Sequence, residues 1–84
     1  MTNTPKLHQL AANFSRVDLP GISIYYSYET PIAFYGSEGL VIRQNDWSTT
    51  TGKHLNAVNE RKSIRITGAE FSAKLEAEFA GVGV

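Results

Sequence analysis

The stretch Ile22-Ser23-Ile24-Tyr25-Tyr26-Ser27-Tyr28 alternates with a period of two and is bounded on both sides by turn residues. A strand produces this pattern because successive side chains leave opposite faces of the pleat. Ile22, Ile24, Tyr26 and Tyr28 share the face that the pattern assigns to the core. Ser23, Tyr25 and Ser27 share the other, which is free to meet solvent or line a site. Leu19-Pro20-Gly21 ahead of the strand is a turn signal, with proline fixing φ and glycine tolerating a positive one. Behind it, Glu29-Thr30-Pro31 breaks the alternation and Ile32-Ala33-Phe34-Tyr35 opens a second strand, where a leading proline is tolerated. Gly36-Ser37-Glu38-Gly39 reads as a four-residue hairpin connection, and Leu40-Val41-Ile42-Arg43-Gln44 returns antiparallel to that strand. The three segments make a meander. Residues 13–18 are expected to add a short edge strand, and residues 1–12 to form an N-terminal arm, where Leu7, Leu10 and Ala11 show only a fragment of helical spacing.

Downstream the period changes. Asp46, Ser48 and Thr49 are all good N-cap residues, so a short helix is expected over residues 50–58 with Leu55 and Val58 inward. Residues 59–62 read as a polar loop and residues 63–66 as a short strand with Ile64 and Ile66 inward and Arg65 outward. Thr67-Gly68-Ala69-Glu70 fits a capping box, opening a helix to about residue 79 with Phe71, Leu75 and Phe79 in one stripe. Glu76 and Glu78 sit on the wrong end of that helix for its dipole, which implies a helix held by packing. The tail, residues 81–84, offers two valines to a neighbour. The expected fold is α+β: an antiparallel β-meander of three to four strands, a short helix after Trp47, and a C-terminal helix packed on the sheet. One domain over residues 13–80 holds all of it.

Eighty-four residues support one modest core, so self-association is the expected supplement in a chain without cysteine. The absence of thiols also excludes disulfides and thiolate metal sites and fits a reducing cytoplasm. No apolar run reaches the roughly 18 residues of a membrane span, and the first 12 residues, with a single lysine, do not resemble a secretion signal. Net charge is zero but unevenly placed. Residues 43–65 carry Arg43, Lys53, Arg61, Lys62 and Arg65 against Asp46 and Glu60, a local +3, while the flanks are at −1 and −2. A protein living on phosphate-backbone contacts shows a larger basic excess, so nucleic acid is disfavoured as a partner.

The cationic stretch coincides with a dense polar run from Trp47 to Asn56. It holds Ser48, Thr49, Thr50, Thr51, Gly52, Lys53 and His54 in succession. At a helix start such a run presents free amides, hydroxyls and cations together, the chemistry of an anion site. Lys53 brings a point charge, Thr49 to Thr51 bring hydroxyl donors, and Gly52 permits close backbone approach. Asn56 offers an amide edge for a base or ribose, Trp47 and Tyr25 offer ring faces, and Arg43 and Arg65 on flanking strands supply the rim. Each residue also has a structural role open to it: Trp47 as a core plug, the threonines as caps, His54 as a buried polar group. A phosphate-loop motif fails, because Trp47 stands where its first glycine belongs and His54 where a magnesium-binding hydroxyl belongs. His8 and His54 are the only histidines and have no ligand spacing, so neither a metal site nor a cofactor is expected. Hydroxyls near His54 are too common to define a nucleophilic triad. The expectation is a binding protein and not an enzyme.

The run Ser27-Tyr28-Glu29-Thr30-Pro31-Ile32-Ala33-Phe34, then Trp47, then Thr50-Thr51-Gly52-Lys53-His54-Leu55-Asn56, resembles small proteins of bacteriophages and prophages catalogued as a domain of unknown function. The resemblance spans residues 22–79. It implies a phage-type origin and no established activity. Small phage proteins of this kind counter host defence, by sequestering a nucleotide signal or by blocking a host protein. Through that resemblance the expected protein is a host-cytoplasmic, self-associating binder of a small anionic, nucleotide-type ligand, with a protein–protein inhibitor as the alternative.

Overall fold

A computed structural model describes residues 6–82 of the chain, with side chains through residue 80. Five strands form one antiparallel sheet in sequence order: β1 (Lys6–Ala11), β2 (Phe14–Leu19), β3 (Ile22–Ser27), β4 (Thr30–Gly36) and β5 (Gly39–Ile42). Two helices follow, α1 (Thr49–Val58) and α2 (Gly68–Val82), separated by one 3-10 turn at Lys62–Ile64. The architecture is α+β, and the meander is longer than the three to four strands that the pattern implies. The added strand is β1, which places Leu7 opposite Val17 and His8 opposite Arg16. Ala12-Asn13 makes this possible, because Asn13 takes φ 59°, a left-handed conformation that asparagine tolerates. The valine of the expected docking tail at position 84 lies outside the described residues, as does the side chain of the other.

Every connection in the sheet is a two-residue hairpin: Ala12-Asn13, Pro20-Gly21, Tyr28-Glu29 and Ser37-Glu38. Gly36 and Gly39 pair with each other, so the expected four-residue loop is two residues shorter. Tyr28 does not continue its strand. It turns the corner at φ 57°, with its amide donating to the Asn13 carbonyl at 2.7 Å. A bulge then re-phases β4: Tyr25 opposes Ala33 while Tyr26 opposes Pro31, leaving Ile32 as the extra residue. The bulge accommodates a proline without an N–H and lets Ile32, Ala33 and Phe34 all be buried in succession.

Both faces of the sheet are covered, each by one helix. Phe14, Ile32, Ala33 and Ile42 pack under Leu55 and Val58 of α1, joined by Tyr25 and Leu40. Ile22, Ile24 and Phe34 pack under Phe71 and Leu75 of α2, joined by Tyr26 and Val41. The face of β3 expected to meet solvent or line a site is therefore the floor of α1. Residues 63–66 differ from the expected strand. They form the 3-10 turn and a single parallel bridge, Ile66 to Arg43, which leaves Ile64 exposed and turns Arg65 inward. The capping box at α2 is present in full: Thr67 donates from N–H and hydroxyl to Glu70 Oε1 at 3.2 and 3.0 Å, and the Glu70 amide donates back at 3.2 Å. The unfavourably placed Glu78 has a tertiary use, accepting from the Ser37 amide at 2.6 Å to tie α2 to the last hairpin. Phe79 ends the stripe beyond the sheet and is exposed. No helix among the described residues is long and apolar enough to cross a membrane.

Removing a ring from this core is expected to be decisive. Phe71→Ala should cost about 3–5 kcal/mol, close to the whole stability of a domain this small, roughly 5 kcal/mol. Circular dichroism should show Phe71→Ala largely unfolded at room temperature and Phe79→Ala folded. The acid limb of stability tests the caps. The Thr67 amide and hydroxyl hold the Glu70 carboxyl below its usual range, and the Ser23 hydroxyl, followed by Arg16, does the same for Asp18. Such groups stabilise the fold above their unfolded-state range and lose that contribution as pH falls through the folded one. Glu70→Gln keeps an acceptor but cannot titrate, so its urea midpoint should fall less steeply than wild type between about pH 5 and pH 3.

Candidate functional site

The polar run becomes the first two turns of α1, and helical spacing divides it three ways. Thr51, His54 and Leu55 point into the sheet; Thr49, Thr50 and Lys53 point to solvent; Gly52 and Asn56 look sideways toward the segment holding Lys62 and Arg65. Ser48 is the N-cap in extended conformation and contributes no side-chain bond to the turn it opens. The loop is instead braced by Asn45, whose Oδ1 accepts from the Trp47 amide at 3.0 Å and whose Nδ2 donates to the Ser48 carbonyl at 3.1 Å. Gly52 makes room for that amide: a Cβ there would stand 3.1 Å from Asn45 Nδ2.

Beneath α1 lies a buried polar junction. Ser27 Oγ is 2.7 Å from His54 Nδ1 and 3.1 Å from Thr51 Oγ1. The imidazole stacks on Phe14 with centroids 4.8 Å apart and planes within 7°. The Tyr28 ring is tilted against the same imidazole, with centroids 6.3 Å apart. The arrangement satisfies polar groups that burial would otherwise penalise. No carboxylate orients His54 among the described residues, and no group of three or more His, Cys, Asp or Glu converges for a metal there. His8 lies elsewhere, 3.0 Å from Asp18 on the outer sheet.

Two concavities flank the first turn of α1. The larger is an open cleft of about 340 Å³ lined by Gln44, Asn45, Gly52, Asn56, Lys62 and Arg65. Arg65 Nη2 donates to Asn56 Oδ1 at 2.8 Å and to the Asn59 carbonyl at 3.1 Å, while its buried Nε has no partner. That bond orients the Asn56 amide and leaves its N–H groups without a partner among the described residues. The smaller is a slot of about 60 Å³ lined by Ser27, Tyr28, Thr30, Trp47 and Thr51. Trp47 is backed by Arg43, whose guanidinium lies 4.4 Å from the indole centroid, 5.9 Å from Phe71 and 2.8 Å from Asp46. Gly68 leaves room for this placement, since a Cβ there would push against the Arg43 guanidinium.

Of the residues the sequence nominates, Gly52, Asn56 and Arg65 meet in the cleft, and Trp47 and Thr51 meet in the slot. Arg43 is drawn behind Trp47 and lines neither. Tyr25 lies on the sheet between Phe14 and Tyr35, with ring centroids 6.3 and 6.2 Å away. Lys53, Thr49 and Thr50 are exposed along the helix, and His54 is inside. Missed were Gln44, Asn45 and Lys62 in the cleft and Ser27, Tyr28 and Thr30 in the slot. Asn45 had a signal, an Asx residue two before a tryptophan at a helix entry; Tyr28 had none, because nothing in its pattern marks a tyrosine at a left-handed corner.

The fold and these two concavities define a small α+β domain with a donor-rich surface cleft beside the start of a helix. The chain belongs to a family of unknown function (DUF8033), which matches residues 2–73 and so takes in the sheet, α1 and the start of α2. No curated protein and no solved structure matches it.

The junction itself is testable. Ser27→Ala leaves a buried imidazole nitrogen without its partner and should cost about 1–3 kcal/mol. His54→Leu should cost a similar amount, and the double variant less than the sum, as read from a urea double-mutant cycle.

Proposed function

We propose that this protein is a non-catalytic, phage-type binding protein that sequesters a small anionic ligand of the nucleotide kind, countering a host defence. One observation carries the reading: cationic and N–H donors gather in the cleft beside the amide of Gln44. Lys62 supplies an ammonium, Arg65 the rest of its guanidinium, and Asn56 its amide N–H groups, and no carboxylate lines the cleft. A fixed guanidinium with open donors suits an oxyanion, which accepts in the plane of the fork. The volume of about 340 Å³ falls within the range of small-molecule sites. Among the described residues the lining holds no hydroxyl nucleophile, imidazole or carboxylate, and the proposed role is binding. The proposed setting is the host cytoplasm, and the proposed assembly is a homo-oligomer.

A second reading, a protein–protein inhibitor or accessory factor, is favoured by β1. This outermost strand exposes Leu10 and 68% of Leu7. Open strand edges of this kind accept partner strands.

Calorimetry against linear and cyclic nucleotides tests the first reading. Arg65→Ala and Lys62→Ala should each weaken binding roughly 10- to 150-fold, the worth of a charge-assisted hydrogen bond. Null heats across a broad panel with wild-type protein would end it in favour of the second.

A further inference from the structure

We infer that the slot between Tyr28 and Trp47 is an aromatic subsite that receives the base of a nucleotide whose phosphate lies in the cleft across the first turn of α1. The inference rests on the cleft reading above and names the part of the ligand that reading leaves open. Three observations carry it.

The first is that both walls are rings with backing. On one side Phe14 stacks on His54 and His54 meets Tyr28, with centroids 4.8 and 6.3 Å apart. On the other, Arg43 supports Trp47 at 4.4 Å from the indole centroid and itself lies 5.9 Å from the Phe71 ring. The row is interrupted only at the slot, where no contact between the Tyr28 and Trp47 rings closes it among the described ring pairs. A planar ring entering there would complete the row, with offset or edge contacts to both neighbours.

The second is exposure. Tyr28 is 54% and Trp47 47% exposed, although the core of so small a domain has use for large rings. Arg43 meanwhile is only 14% exposed and spends its charge on holding the indole and pairing with Asp46. A largely covered cation held against a half-exposed tryptophan implies a use for the orientation. Tyr28 also stands at φ 57° in a two-residue turn where glycine or asparagine would be unstrained, at a cost of roughly 1–2 kcal/mol.

The third is the floor. Ser27, Thr30 and Thr51 line it, and while the Ser27 and Thr51 hydroxyls are engaged in the His54 junction, Thr30 brings a hydroxyl that can donate to or accept from the edge of a base. Ser27 and Thr51 are fixed by the His54 junction beneath. The enclosed part, about 60 Å³, takes the leading edge of a ring, and the exposed halves of Tyr28 and Trp47 extend the walls outward. Thr51 and Gly52 are adjacent in the chain yet line different concavities, which sets the two lobes one helical step apart.

Trp47 is the single tryptophan, so its emission reports on the slot alone. The probes are AMP, GMP, CMP and UMP, compared with ribose 5-phosphate, which carries the phosphate without a base. Nucleotides should quench Trp47 and bind more tightly than ribose 5-phosphate by calorimetry. Tyr28→Ala and Trp47→Leu, each confirmed as folded by circular dichroism, should weaken nucleotides roughly 5- to 150-fold and leave ribose 5-phosphate unchanged, the worth of one base–ring stack. If nucleotides and ribose 5-phosphate bind alike without quenching, the slot assignment falls and the cleft stands. If nucleotides quench Trp47 but Arg65→Ala changes nothing, the slot holds a ring and the cleft reading falls. If no probe binds, both are overturned.

Discussion

The hydrogen bond from Ser27 Oγ to His54 Nδ1 is the point on which the arrangement depends. It joins the end of β3 to the middle of α1 at a site where neither group meets water, and low dielectric makes such a bond strong when made and costly when broken. Through it α1 has one rotational setting on the sheet. Thr51 is drawn to the same oxygen, Leu55 falls on Ile32 and Ala33, and Gly52 and Asn56 are left to face the cationic segment. Apolar packing alone would tolerate a helix turned by some tens of degrees. A buried polar pair does not, because a shift would strand both partners.

That constraint explains why the polar run at Thr49 to Asn56 is not one surface. A helix distributes eight consecutive residues around its whole circumference, so a cluster in sequence is dispersed in space unless it sits in a loop. The sequence showed ten polar-rich residues in one place and invited the conclusion that they converge. Only those a helical step apart do so: Thr51 with His54, and Gly52 with Asn56. Charge density in sequence therefore led to the helix turn beside the cleft, but it could not say that Lys53 faces solvent while Lys62 lines the cleft.

The fold was more legible than the site, for physical reasons. Two-residue hairpins carry local signals, Pro20-Gly21 most clearly, and the Thr67–Glu70 capping box is complete within four residues. Period-two alternation located β3, but it cannot say whether the second face is wet. Here it is covered, and Ser27 on the expected open face is among the most buried residues. The bulge at Ile32 was invisible because an extra residue changes register without changing composition. β1 escaped for a different reason: its side chains are mostly exposed on both faces, so burial imposes no alternation on its sequence. Arg43 and Arg65 illustrate the limit for charged groups. Both were placed on flanking strands, yet their fates are set by what a long flexible side chain finds nearby, an indole for one and an asparagine oxygen for the other.

The two helices differ at their beginnings, and the difference bears on use. At α2 the first turn is closed by Thr67 and Glu70, with an acidic group placed against the helix dipole. At α1 the first turn has neither an acidic residue nor a side-chain cap. An uncapped start proves nothing alone, since water serves such amides well. Its setting is what matters. The first turn of α1 adjoins a cleft lined by two cations and a slot lined by two rings, and the same chain demonstrates nineteen residues later that a complete cap lies within its means. A glutamate at the start of α1 would have stabilised the helix by some tenths of a kcal/mol while placing a negative charge beside the concavity that Lys62 and Arg65 line. Leaving the turn bare adds no carboxylate to that of Asp46, which is already paired with Arg43.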